Sequence, residues 1–231
     1  MLEDSVQLPP SPFDRSEDRA PVQTSLPGKP ISDLKGKHAG SCAIFFNGSS
    51  LHQHDLWQVR LPIIGMNRTH AGWPSYRGPQ PDYLCLVDSA WFYKPDWWAG
   101  VSQHPCVING SIEKAGIGYR VVRHPRMSPF SFDLARDGYV APIPCTTGHL
   151  ALQLAVYLGF TKLFCLGWDL GGRHFDDTSA SPHFKDAIRY HKTQAKVLAE
   201  RGILVYVCGS PQSNAPFLHV PFSVVCEEVA A

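Results

Sequence analysis

The chain predicts an α/β fold built on a mainly parallel sheet, and three observations carry that expectation. Short apolar, β-rich runs recur, each ending in a polar residue: residues 61–66 before Asn67, 83–87 before Asp88, 106–108 before Asn109 and 162–168 before Asp169. The segments between them are long enough for crossover connections, and near-continuous apolar runs suit strands covered on both faces. Two helical stretches provide such cover. With 231 residues, 44% of them hydrophobic, the chain can bury one large core, so a single domain with a small appendage is expected.

Residues 1–38 stand apart. Six prolines (Pro9, Pro10, Pro12, Pro21, Pro27, Pro30) lie among charges with a single aromatic, Phe13, so little apolar surface offsets the entropy of ordering. A disordered or loosely draped tail is expected, with an arm that orders against a partner subunit as the alternative. Residues 39–231 then form the domain.

The first core strand begins near Ser41 and runs into Asn47-Gly48-Ser49-Ser50. Small residues after a strand expose backbone N–H groups and hydroxyls at the carboxyl edge of a sheet, where a following helix would add its positive end, an arrangement suited to a phosphate. An ordinary hairpin or strand-to-helix turn uses the same letters. In open α/β sheets ligands bind outside the carboxyl ends of the strands, so Asn47, Asn67, Asp88 and Asp169 should converge there.

The first helix spans 146–159. Thr146 and Thr147 suit its N-terminus, Gly148 follows them, and Gly159 suits its end. It is apolar nearly all round and should be buried, its start facing the sheet edge. The second runs from about 184 to 201 and stops at Gly202. Phe184, Ile188, His191, Ala195 and Leu198 share one stripe while Lys185, Arg189, Lys192 and Lys196 face away, so His191 reads first as a core-face histidine. A last strand, 203–208, opens into another loop of small donors.

Between these lies a region of different character, 91–144. Trp91, Phe92, Tyr93, Trp97 and Trp98 crowd together, and Arg120, Arg123, His124 and Arg126 follow. Aromatics with basic residues can stack on bases or sugars; a hydrophobic subdomain or dimer surface is the competing reading, which leaves homo-oligomer formation open. Residues 125–144 lack periodicity and read as a lid-like insertion.

Composition excludes several classes. The formal charge of +1 creates no field for nucleic acid or an anionic membrane, no apolar run reaches 18 residues, and the first residues lack the pattern of a signal peptide, so no membrane partner and a cytoplasmic location are expected. Seven cysteines without CxxC spacing argue against a zinc site or a disulfide set, and Cys42, Cys85, Cys165 and Cys208 should pack as reduced core residues.

The segments FFNGSSL, IIGMNR, PDYLCLVD and TTGHLALQLAVYLGFTKLFCLGWDL, in this order, resemble a Rossmann-like family of bacteria and phages. It includes the bacterial lipooligosaccharide sialyltransferases and proteins named after a methanogen hydroxymethylpterin diphosphokinase. The resemblance covers about residues 41–215, with Ser49 standing where the family more often has Pro. It implies a three-layer Rossmann-like sandwich and a glycosyltransferase using a nucleotide-activated, CMP-linked sugar. Asn47 and Asn67 would touch the CMP, Thr146 and Thr147 would lie beside it, and His183, with His191 in reserve, would be the general base. That chemistry requires no metal. The diphosphokinase alternative would bind ATP with Mg²⁺ held by Asp88 and Asp169. A third reading is a nucleotide-binding or assembly module without catalysis. The acceptor (glycan, small metabolite or modified nucleobase) stays open.

Overall fold

The computed structural model describes residues 29–86, 147–171, 173–176, 184–210 and 213–229, together with 101, 104, 107–109, 118–120, 122–123 and 139–140. Its main sheet has nine described strands, all parallel to their neighbours. In chain order they are β1 (Lys29–Pro30), β2 (Ser41–Phe45), β3 (Ile63–Met66), β4 (Tyr83–Leu86), β5 (Val107–Asn109), β6 (Tyr119–Arg120), β9 (Lys162–Leu166), β10 (Leu204–Cys208) and β11 (Leu218–Val220). A separate pair joins β7 (Val122–Arg123) to β8 (Tyr139–Val140). Three helices are described: α1 (Thr147–Leu158), α2 (Phe184–Glu200) and α3 (Phe222–Glu227).

The spatial order is β1-β6-β5-β4-β3-β2-β9-β10-β11. Its central part, β4-β3-β2-β9-β10-β11, follows the 3-2-1-4-5-6 order of doubly wound dinucleotide-binding sheets, and the order reverses between β2 and β9. The fold is therefore Rossmann-like.

Alternation along each strand divides the core into two layers. Cys42, Ile44 and Phe46 of the β2 segment, with Leu163 and Cys165 of β9, face the layer filled by α1 and α2. Ala43 and Phe45, with Phe164 and Leu166, face the layer closed by Leu51, Leu56 and Val225 of α3. α1 is apolar nearly all round because it is buried nearly all round, ten of its twelve residues being inaccessible. α2 shows the opposite pattern, with Leu198 buried and Lys192 and Lys196 exposed. Four cysteines expected in the core (Cys42, Cys85, Cys165, Cys208) are buried free thiols.

Two sequence expectations are corrected. Residues 29–38 belong to the domain: β1 pairs with β6, and Ile31 and Leu34, three apart on a 3-10 turn, are each only 2% exposed in the core. Proline density concealed these two anchors; residues 1–28 lie outside the described residues. The region 91–144, read as an acceptor-side or lid region, also contributes to the main sheet, through the expected run at 106–108 (β5) and through β6, which was not expected. The aromatic cluster 91–98 lies outside the described residues. No helix among the described residues is long and apolar enough to cross a membrane.

Candidate functional site

Topology brings the polar strand ends together. In the β2–β3 register Phe45 lies opposite Gly65, so Asn47 and Asn67 follow the carboxyl ends of adjacent strands. β9 places Asp169 on the other side of β2, and β10 leads into Ser210. All lie at the carboxyl edge, around the reversal of strand order. Asp88 and Thr146, expected here, and His183 lie outside the described residues.

The junction between β2 and β9 is closed by the protein's own groups. Phe46 donates to the Leu166 carbonyl (2.8 Å) and Gly48 to that of Gly167 (2.9 Å). Asp169 then takes the position expected of a bound anion. Its Oδ2 accepts from the Ser50 N–H (2.9 Å) and the Ser49 hydroxyl (3.3 Å), while Oδ1 accepts from the hydroxyls of Ser50 and Ser210 (3.2 Å for Ser210). Glycine is required at position 48, because a Cβ there would collide with the Gly167 carbonyl and the Asp169 carboxylate.

This corrects the phosphate-loop expectation for Gly48, Ser49 and Ser50. The Ser49 N–H goes to the Arg173 carbonyl (3.2 Å) and that of Leu51 to Gly48 (3.1 Å), so the N–H groups of residues 48–51 all have partners inside the protein. A 3-10 turn, Ser49–Gln53, replaces the expected helix. An internal carboxylate has satisfied the donors that a phosphate would use.

The other side of β2 differs. Asn67 ends β3 in the left-handed region, φ 46°, which an asparagine tolerates better than most residues. Its Nδ2 donates to the Thr147 Oγ1 at the start of α1 (3.1 Å), which turns Oδ1 away from the helix. The Oδ1 atoms of Asn67 and Asn47 are both buried without a hydrogen-bond partner among the described residues. A buried acceptor left unpaired costs about 1–3 kcal/mol, which a donor on a bound molecule would recover. Gly148 is buried in the first turn behind Thr147.

Beneath both sides runs an aromatic floor. Phe46 stacks on Trp168 (4.5 Å between centroids), Trp168 and His191 meet at right angles (4.6 Å), and His191 stacks on His149 of α1 (4.3 Å). His191 is fully buried, its Nδ1 bonded to Gln194 Oε1 (2.8 Å), and burial pushes its pKa down to about 4. The reserve general-base role fails on this burial: His191 is part of the floor.

Residues that sequence reasoning missed also reach this edge. The loop after Asp169 folds back so that His174 pairs with Gly48 in an antiparallel bridge and the Phe175 N–H bonds the Asn47 carbonyl (2.9 Å). Asp176 forms an ion pair with Arg68 (2.6 Å), both side chains 7% exposed, which ties this loop to the turn after β3. The available signal was the polar run Arg173-His174-Phe175-Asp176 directly after a strand-end aspartate.

Fold and edge geometry together define a Rossmann-like α/β protein whose candidate site lies at the carboxyl ends of β2 and β3. Among solved structures the chain is similar to the MAf glycosyltransferase from Magnetospirillum magneticum AMB-1, with a TM-score of 0.54, 16% identity and 85% of this chain covered. The likeness extends over 35% of that protein, so the chain spans about a third of its length. Comparison with protein-family models and with curated proteins finds no match.

Proposed function

We propose that the chain is a glycosyltransferase, or the nucleotide-sugar-binding part of one, and that its donor is CMP-linked. The observation that carries this reading is the pair of buried, unpartnered amide oxygens of Asn47 and Asn67 on adjacent strand ends. They call for hydrogen-bond donors, which the amino group of a cytosine or the hydroxyls of a ribose possess and a phosphate monoester dianion lacks. The likeness in fold to a glycosyltransferase and the resemblance of the strand-end motifs to sialyltransferases support the same class. In this reading an acceptor hydroxyl loses its proton to a histidine and displaces the nucleotide directly; the acceptor would be a glycan, a small metabolite or a modified nucleobase.

The hydrogen bonds of Asp169 weigh against the diphosphokinase alternative, whose other expected Mg²⁺ ligand, Asp88, lies outside the described residues. Both oxygens of Asp169 are committed to serine and backbone donors, so this carboxylate is a poor Mg²⁺ ligand, and no step is assigned to a metal. Titration with CMP, CTP and ATP, each with and without Mg²⁺, tests the reading. Metal-independent CMP binding is expected. Binding of ATP alone, and only with Mg²⁺, would overturn it, and binding of none of the three would favour a module without catalysis.

A further inference from the structure

We propose that His174 is the proton acceptor of the transfer reaction, receiving the hydroxyl proton of the acceptor on a ring nitrogen. The inference rests on the glycosyltransferase reading above.

His174 is fixed by backbone. The Ser49 N–H bonds the Arg173 carbonyl and the Phe175 N–H bonds the Asn47 carbonyl, so His174 lies opposite Gly48 in a short antiparallel ladder. It is thereby held next to the residue whose amide oxygen awaits a donor. The residue is half-buried, unlike the fully buried His191.

A neutral imidazole keeps one ring nitrogen with a free lone pair, which is what a general base needs. Charged groups face the ring from three elements: Arg68 from the turn after β3, Asp169 from the end of β9, and Asp176 on its own loop. Burial, aided by Arg68, outweighs the two carboxylates and the Asn47 carbonyl, and lowers the pKa below its ordinary 6.5. The imidazole is therefore neutral at pH 7, ready to take a proton.

The step balances without another reactant. The acceptor oxygen forms its bond to the anomeric carbon of the nucleotide-linked sugar as its proton passes to His174. The bond from that carbon to the phosphate oxygen breaks, and its electron pair leaves with the nucleotide. Arg68 and Asp176 are positioning residues, because their ion pair holds the loop that carries His174.

The test uses the full chain with ring-labelled histidine, the His174 signal being assigned with His174→Gln. Titration by NMR without CMP should give a His174 midpoint below 6.5. Saturating CMP should raise it, because added phosphate charge favours the imidazolium. If CMP shifts the side-chain amides of Asn47 and Asn67 but leaves the His174 curve unmoved, the proposal is overturned while the nucleotide reading survives. If CMP moves none of the three, the nucleotide reading itself fails and takes the proposal with it. With a CMP-linked sugar that the wild type turns over, His174→Gln should cut the rate about 10²–10⁴-fold and abolish the acid limb of its pH profile, with CMP affinity retained. If His183→Gln does this and His174→Gln keeps the wild-type profile, the base is His183.

Discussion

The two sides of the β2 carboxyl end are built from the same kind of sequence, a polar residue directly after an apolar strand, and behave in opposite ways. Toward β9, Asp169 is matched by Ser49, Ser50 and Ser210, and the backbone of the turn is saturated. Toward β3, the amides of Asn47 and Asn67 keep buried oxygens without partners. A side chain that completes its hydrogen bonds inside the protein contributes to stability. One held in place with an acceptor left over lowers stability and is positioned for binding.

The contrast can be broken most severely at Asp169. Asp169→Ala strands several donors at once, and its expected cost is about 3 kcal/mol or more, read as a lower urea midpoint with an unchanged slope. Unchanged stability with loss of ligand binding would instead put Asp169 among the binding groups.

Acid should act next, through the floor that both sides share. The folded-state pKa of His191, about 4, lies below its ordinary 6.5, so the unfolded chain binds the proton more readily. Stability is then fully present above pH 6.5 and is lost as the pH falls toward 4, by about 3 kcal/mol for this group. His70, also pushed down to about 4 by burial and by His104, adds to the same window. His191→Phe should remove part of the slope of stability against pH, leaving the part due to His70. An unchanged slope would show that the floor does not hold His191 neutral.

The smallest effect on stability is expected at Asn47. Because its Oδ1 has no partner in the free protein, Asn47→Ala should leave the melting temperature nearly unchanged while weakening CMP binding by about 1–3 kcal/mol. A lower melting temperature with unchanged CMP affinity would show that Asn47 only shapes the turn.

Six of the nine main-sheet strands were legible as apolar runs because burial on both faces writes a continuous signal: β2, β3, β4, β5, β9 and β10. α1 and α2 were legible to within about a turn at each end. β1, β6 and β11 were not, since two or three residues at a sheet margin carry no periodicity, and α3 is too short to show any. At the site, sequence reasoning named the strand-end residues but not their directions. Whether the serine donors serve a ligand or Asp169 depends on residues 120 positions away, and no local pattern encodes that. Arg68, His174 and Asp176 were missed for the same reason: each acquires its setting from a loop remote in sequence.

The pairing of β2 with β9 bears on how the chain comes off the ribosome. Synthesis from the N-terminus releases β2 and β3 early, yet the second neighbour of β2, which pairs Ser41 with Lys162, follows only after most of the chain has been made. Until then one edge of the apolar strand β2 is a row of backbone N–H and C=O groups in search of a partner, and nascent chains in that condition depend on holding factors to avoid joining one another. The junction that Asp169 seals therefore closes only once β9 has emerged. A slowly translated stretch before residue 162 would prolong that exposure and lower the soluble yield, with no change in the finished molecule.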